Sequence, residues 1–300
     1  MTKRHVTLPD AAEAGVRAFI DEVDERLSSD EDTCEVVQDV LVDLFGDREA
    51  YEAWQNDGDV SPAERVRLQG YDPCNATLES EYYADRDENF LESKALQWLW
   101  RQFDMTPMAD NVDFALRFRQ MLAKHLFEEA GDDLRLFKGI TFSYGHNITV
   151  GDNTVIHDDV HLDDRGKLTI GNRASISDGV HIYSHDHDVV DQTEVDNYHT
   201  IVADDARVTY DAMVRAGVRI GENAVVGARS VVQGDVPDHH VAVGIPAESV
   251  RVKPGWEEVA EPLDAGGADN REARRIEYDV PGDVEVFDEF QRDLQPPGRE

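Results

Sequence analysis

The sequence predicts a mainly β chain built on a parallel β-helix, preceded by a helical region, and three observations carry that prediction. An aliphatic residue recurs at every sixth position through Val202, Val208, Val214, Ile220, Val226 and Val232. Four residues after each stands a small or β-branched residue: Ala206, Ala212, Val218, Ala224, Ser230 and Val236. Upstream, Val150, Ile156 and Leu162 keep the same phase, and after one eight-residue step Ile170, Ile176 and Ile182 resume it. Period six is neither the 3.6 of a helix nor the alternation of a plain strand. It marks a repeat in which each hexad supplies one short strand and one turn, so that three hexads close a triangular coil of about eighteen residues. The aliphatics stack inside the prism. Gly, Asn and Asp take the corners, where a positive φ costs them little.

In chain order, residues 1–137 read as an acidic helical region. Asp10 is a candidate N-cap for a stripe of Val16, Phe19, Ile20, Val23 and Leu27, spaced three and four apart. Cys34, Val37, Leu41 and Leu44 repeat that spacing, and Ser61-Pro62 is a helix start with proline in the first turn. Two further amphipathic helices are expected at 90–103 and 112–126, with Trp98, Trp100, Phe114, Phe118 and Leu122 as packing surface. The prism is assigned to 138–253. It is interrupted once, between Ile182 and Val202, by a polar stretch expected to protrude as a loop over 184–201; long loops on rigid repeats commonly carry function. Residues 254–300 are rich in Pro, Gly and acid and read as a partly disordered extension, in which Val284, Val286, Phe287 and Phe290 are candidates to dock.

Composition narrows the function classes. The 300 residues hold 64 Asp and Glu against 29 Lys and Arg, a formal charge of -35. A broad phosphate-neutralising surface is absent, which argues against nucleic acid as a partner. No apolar run is long enough to span a bilayer, and residues 1–15 have no apolar signal core, so the expectation is a cytoplasmic protein that avoids membranes. Two cysteines are too few for a disulfide framework or a cysteine zinc site. Such acid excess is costly self-repulsion at ordinary ionic strength and is largely screened near 1 M salt, where the Debye length is about 3 Å. Only six of the bases are Lys. A halophilic habitat is the expectation.

These segments resemble the hexapeptide-repeat acyltransferases, above all the maltose and galactoside O-acetyltransferases. The similarity lies in FSYGHNITVGDN (142–153), GVHIYSHDHD (179–188), VRIGENAVVGARSVVQGDVP (218–237) and VGIPA (243–247), preceded by ALQWLWRQFDMTP (95–107). The resemblance implies a left-handed parallel β-helix and a homotrimer. It also implies acetyl-CoA as donor, lying between two prisms, and a sugar-like hydroxyl as acceptor, with no metal required. His187 falls on the family's catalytic position, where an imidazole with a pKa near 6.5 suits a general base. His185, two residues earlier and pointing the same way in an extended chain, is the rival. Glu194 and Asp186 are candidates to hold the base's other ring nitrogen. On the acceptor side the resemblance singles out Ser143, Asp164, Asp85, His185 and Glu194, with His157 and Asp159 in a coil that departs from the family pattern. On the cofactor side it singles out Ala228 and Arg251. There Arg207 and Tyr210 replace a family tryptophan and serine, and Gln233-Gly234 replaces a Thr-Lys pair. Two alternatives stay open: a γ-carbonic-anhydrase-like zinc enzyme using His181, His185 and His187, and a non-catalytic trimeric scaffold.

Overall fold

The computed structural model describes residues 7–56, 58–82, 89–189, 195–263 and 270–277. Asp85, Glu194, Val284, Val286, Phe287 and Phe290 lie outside them. The chain divides into two compact units.

The first unit draws on residues up to Leu78, Leu91–Leu126 and Leu136–Lys138 and is helical. Helices run over Asp10–Leu27, Thr33–Phe45, Arg48–Gln55 and Pro62–Gln69. The expected amphipathic pair is found at Phe90–Phe103 and Val112–Leu126. Asp10 is not the first cap. It is already helical, and Pro9 stands before it without a side-chain bond, because proline's fixed φ suits the entry. Ser61 is a true cap: its side chain accepts from the Glu64 amide, and Glu64 reaches back in a capping box. Trp100, Phe103, Phe114, Phe118 and Leu122 are all buried, as the stripe reading requires, and Trp98 donates its indole N–H to the Gly70 carbonyl at 3.0 Å.

The second unit is the parallel β-solenoid of about five turns. Its three sheets stack the anchors in register. One carries Val150, Ile170, Val202 and Ile220; the next carries Ile156, Ile176, Val208, Val226 and Ala242; the third carries Phe142, Leu162, Ile182, Val214 and Val232. Every predicted anchor is at most 1 % exposed, so the six-residue period is the core pattern itself. Positive φ marks the corners at Asn153, Asp159, Asp205, Asp211 and Asn223, as the corner chemistry predicts. Arg173 and Arg229 also take it. Each is held by an aspartate of a neighbouring coil: Arg173 pairs with Asp205 at 2.6 Å and Arg229 with Asp211 at 3.3 Å. Strand pairing starts ahead of the recognisable anchors, since Glu129–Ala130 pairs with Thr149–Val150.

The coils differ in length at one corner only. Leu162 to Ile170 takes eight residues, as does Phe142 to Val150, whereas Val214 to Ile220 takes six. The long polar stretch falls at this same corner. Less of it protrudes than its polarity suggests. Val195–Val202 is one eight-residue strand whose second half joins the prism beside Lys167–Ile170. Tyr198, Thr200 and Val202 alternate inward and are buried, a period-two pattern that polar neighbours conceal in the sequence. The first half of that strand pairs antiparallel with His185–His187, forming a hairpin off the corner.

Gly166 is where this corner admits no side chain. A Cβ there would lie 2.2 Å from the Tyr198 carbonyl oxygen and 2.7 Å from that of Ser184. Gly166→Ala is expected to displace the hairpin backbone and cost about 1–3 kcal/mol. A denaturant midpoint equal to wild type contradicts that packing.

Candidate active site

The stacked long corners bring Ser143, Asp163, Asp164 and His185 together. Asp164 is completely buried and accepts four backbone N–H bonds from the coil below: Ser143 at 3.0 Å and Tyr144 at 2.8 Å on Oδ1, Gly145 at 2.6 Å and Asn147 at 3.3 Å on Oδ2. Burial pushes its carboxyl up to about 6, against the pull of those amides. Its place is therefore beneath the corner, as an internal cap for the Ser143–Asn147 turn.

Asp163 performs the same task for the coil above, and here a histidine is involved. Its Oδ2 accepts from the Ser184 amide at 3.0 Å and the His185 amide at 3.2 Å, and lies 2.5 Å from His185 Nδ1. Its Oδ1 accepts from Ser143 Oγ at 2.9 Å. Burial alone would push this carboxyl up; the His185 ring, the Ser184 amide and the Ser143 hydroxyl outweigh it and hold it at about 2. A carboxylate held below its unfolded value contributes stability that is complete above about pH 4 and lost as pH falls toward 2, here about 2 kcal/mol. Asp163→Asn should flatten that part of the acid-unfolding curve. An unchanged slope between pH 4 and 2 removes Asp163 from the acid transition.

The carboxylate that pairs with His185 is Asp163. Asp186 faces the opposite way on its strand and pairs with Arg215 at 2.9 Å and with Arg271. The signal for Asp163 is in the sequence, since the eight-residue step at 162–170 marks the corner; the step by itself does not say which acid turns inward.

His187 follows in the same strand and on the same side. Its ring stands edge-on to His185, with centroids 5.2 Å apart and planes at 80°. His185 is closed in, its side chain 14 % exposed, whereas His187 is exposed. On the near side His185 Nε2 faces Arg165 Nη1 at 3.5 Å. His161, His181 and Tyr183 form a ring cluster on the outer side of the third sheet. Burial lowers the pKa of His161. Among the described residues no three His, Cys, Asp or Glu side chains are grouped to hold a metal.

No family model matches the chain. Individual proteins do. The chain is 30% identical over 154 residues, 51% of its length and 85% of the relative's, to the Escherichia coli K12 protein named "Putative colanic acid biosynthesis acetyltransferase WcaF". The chain belongs to the hexapeptide-repeat acetyltransferases. The galactoside O-acetyltransferase of Escherichia coli K12 is 28% identical over 137 residues, 44% of this chain and 68% of that one. The crystal structure of a maltose O-acetyltransferase from Clostridium difficile 630 superposes with a TM-score of 0.51 at 28% identity, covering 60% of this chain and 99% of that one.

This hexapeptide-repeat acetyltransferase is an acyltransferase enzyme. Its remaining candidate residues are spread over other parts of the prism. His157 and Asp159 flank the corner after Val155–Ile156, and Asp159 takes one of the positive φ values. Arg207 and Tyr210 lie on and after the strand Arg207–Val208, Ala228 follows Val225–Val226, and Gln233-Gly234 follows Val231–Val232. Arg251 belongs to the terminal hairpin Ala247–Val252. Gly234 lines a cavity of about 340 Å³ with Asp235, Ser249 and Leu263. Arg229 stacks on the Tyr210 ring with its guanidinium 5.7 Å from the centroid. One further cation was not singled out from sequence: Lys253 anchors on Asn223, and burial together with the Arg207 charge lowers its pKa. Arg207 and Lys253 both stand near the Asp205 carboxylate, whose pKa the Arg173 hydrogen bond lowers and their charges help to lower.

Proposed function

We propose that this acetyltransferase moves the acetyl group of acetyl-CoA to a hydroxyl of a sugar-like acceptor, with His187 as general base. The observation that carries the reading is the hairpin corner, where a buried carboxylate fixes one imidazole and a second, exposed imidazole stands against it. A base must be within reach of the acceptor hydroxyl. Both nitrogens of His185 are faced, one by Asp163 and the other by Arg165, and its ring is enclosed. His187 is the imidazole that reaches outward. In this reading it takes the hydroxyl proton as the oxygen attacks the thioester carbonyl, and returns it to the departing thiolate of CoA. Asp163 and His185 fix the strand from which it projects.

The relatives' names support a carbohydrate acceptor: one is a galactoside and another a maltose O-acetyltransferase. The cofactor-side candidates belong to strands and corners other than the histidine hairpin. A homotrimer, in which Arg207, Tyr210, Ala228, Gln233, Gly234 and Arg251 of one prism face the hairpin of the next, would unite them. Ser143, His157 and Asp159 are then acceptor-side residues, Ser143 with its hydroxyl committed to Asp163, while Asp164 supports them from beneath as the buried cap of the Ser143–Asn147 turn and does not itself meet the acceptor. A soluble cytoplasmic setting at high salt fits the acid excess, and the segment 200–253, with seven acids against six bases, is nearly neutral. The test is acetyl-CoA turnover against a panel of sugars in molar salt, with light scattering for the trimer. Acetyl transfer to none of the sugars, or a monomer that turns over at full rate, contradicts the reading.

A further inference from the structure

We propose that the C-terminal arm, residues 270–277, is a positioning element of the acetyl-transfer site and that Arg271 is its principal contact. The proposal deepens the reading above, because it takes His185–His187 as the catalytic strand. The arm lies outside the six-residue repeat, so prism closure does not call for it. It nonetheless folds as a short helical turn, Arg271–Arg274, followed by a strand, Arg275–Ile276, that pairs antiparallel with Asn197 and Tyr198. The hairpin at the corner thereby becomes three-stranded, with the histidine strand on one side of Val195–Val202 and the arm on the other.

The contacts are charge-matched. Residues 186–196 carry five carboxylates and no Lys or Arg, whereas 271–275 read Arg-Glu-Ala-Arg-Arg. Arg271 pairs with Asp186, the residue between the two histidines; it donates Nε to the Ala216 carbonyl at 2.8 Å and lies over the Tyr198 ring at 3.9 Å. Its side chain is only 12 % exposed. Arg274 bonds the Gly217 carbonyl at 2.5 Å and pairs with Asp235, which ties the arm to the closing coils. Arg275 pairs with Asp196. Side chains alternate along a strand, so a grip on Asp186 from one side sets the direction in which His185 and His187 project on the other. Displacing a reacting group by about 1 Å can cost a hundredfold in rate, so a clasp at this position acts on catalysis without touching substrate.

The test uses the full chain in molar salt, with steady-state kinetics and amide hydrogen exchange measured on Arg271→Ala, Arg271→Lys and Asp186→Asn. Arg271→Ala is expected to lower kcat about tenfold while KM for acetyl-CoA stays within about twofold. It should also speed exchange at 185–187 and 195–198. Arg271→Lys keeps a cation at Asp186 and should restore most of kcat. Asp186→Asn, which also weakens the Arg215 pair, should lower kcat as well, and the loss in the double variant should be smaller than the product of the two single losses, because the variants share one contact. Wild-type kcat in Arg271→Ala, or exchange unchanged at the hairpin, overturns the proposal. The two readings fail separately: if neither histidine affects turnover the base assignment falls, while the exchange data still decide whether the arm holds the hairpin.

Discussion

His187→Ala is expected to lower kcat for acetyl transfer by about two to four orders of magnitude, the usual contribution of a positioned general base. KM for acetyl-CoA should change little, because in the proposed role the imidazole acts on the acceptor hydroxyl. His185→Ala should be milder and different in kind. It removes the ring that Asp163 holds at 2.5 Å and against which His187 stands. That loosens the base without deleting it. Added imidazole should restore part of the rate to His187→Ala and none to His185→Ala. The reverse pattern, with His187→Ala at wild-type rate and His185→Ala inactive, makes the Asp163-paired ring the base. If both variants keep full activity, general-base catalysis by this hairpin is wrong.

Asp164→Ala is expected to be the most destabilising substitution in the prism, at about 3–5 kcal/mol. Its carboxylate is the acceptor for four main-chain N–H groups of the Ser143–Asn147 turn. With alanine those donors lose their acceptor in a place closed to water. Asp164→Asn keeps a single carbonyl oxygen and turns an NH₂ group toward the other pair of donors, so it should fall between alanine and wild type. Denaturant unfolding followed by tryptophan fluorescence and far-UV circular dichroism measures the ranking. An alanine variant within about 1 kcal/mol of wild type would show that the turn finds other acceptors.

The prism was legible in the sequence because its core pattern is strict: a coil that misses an inward aliphatic cannot stack on its neighbours, so the period survives in Val150, Ile156, Leu162, Ile170, Ile176, Ile182 and the six anchors after them. The helices at Phe90–Phe103 and Val112–Leu126 were legible through their apolar spacing. The strand Val195–Val202 was not, since its inward residues include Tyr198 and Thr200 among charged neighbours. At the candidate site, the histidines stood out by type and position. The carboxylate paired with His185 did not, because the contact between Asp163 and His185 spans one coil and joins residues 22 apart in the chain. Residues near in sequence, such as Asp186, are the natural guess, yet neighbours along a strand face opposite ways. The arm was unreadable for a similar reason: Arg271 and Asp186 are 85 residues apart, and only the charge asymmetry of the two segments hints at their meeting.

All the departures from six-residue spacing within the prism occur at one edge, while the other two edges keep time from coil to coil. Registration between sheets is therefore carried by two sides of the triangle, and the third is free to vary. Along that free edge, whole turns can be lengthened, shortened or exchanged between related chains without disturbing a single stacked aliphatic. With the acceptor site proposed at that edge, inheritance of the frame is separated from inheritance of acceptor preference. Transplanting 143–147, 163–166 and 183–198 as a set should carry substrate choice with it into another prism of the same pitch.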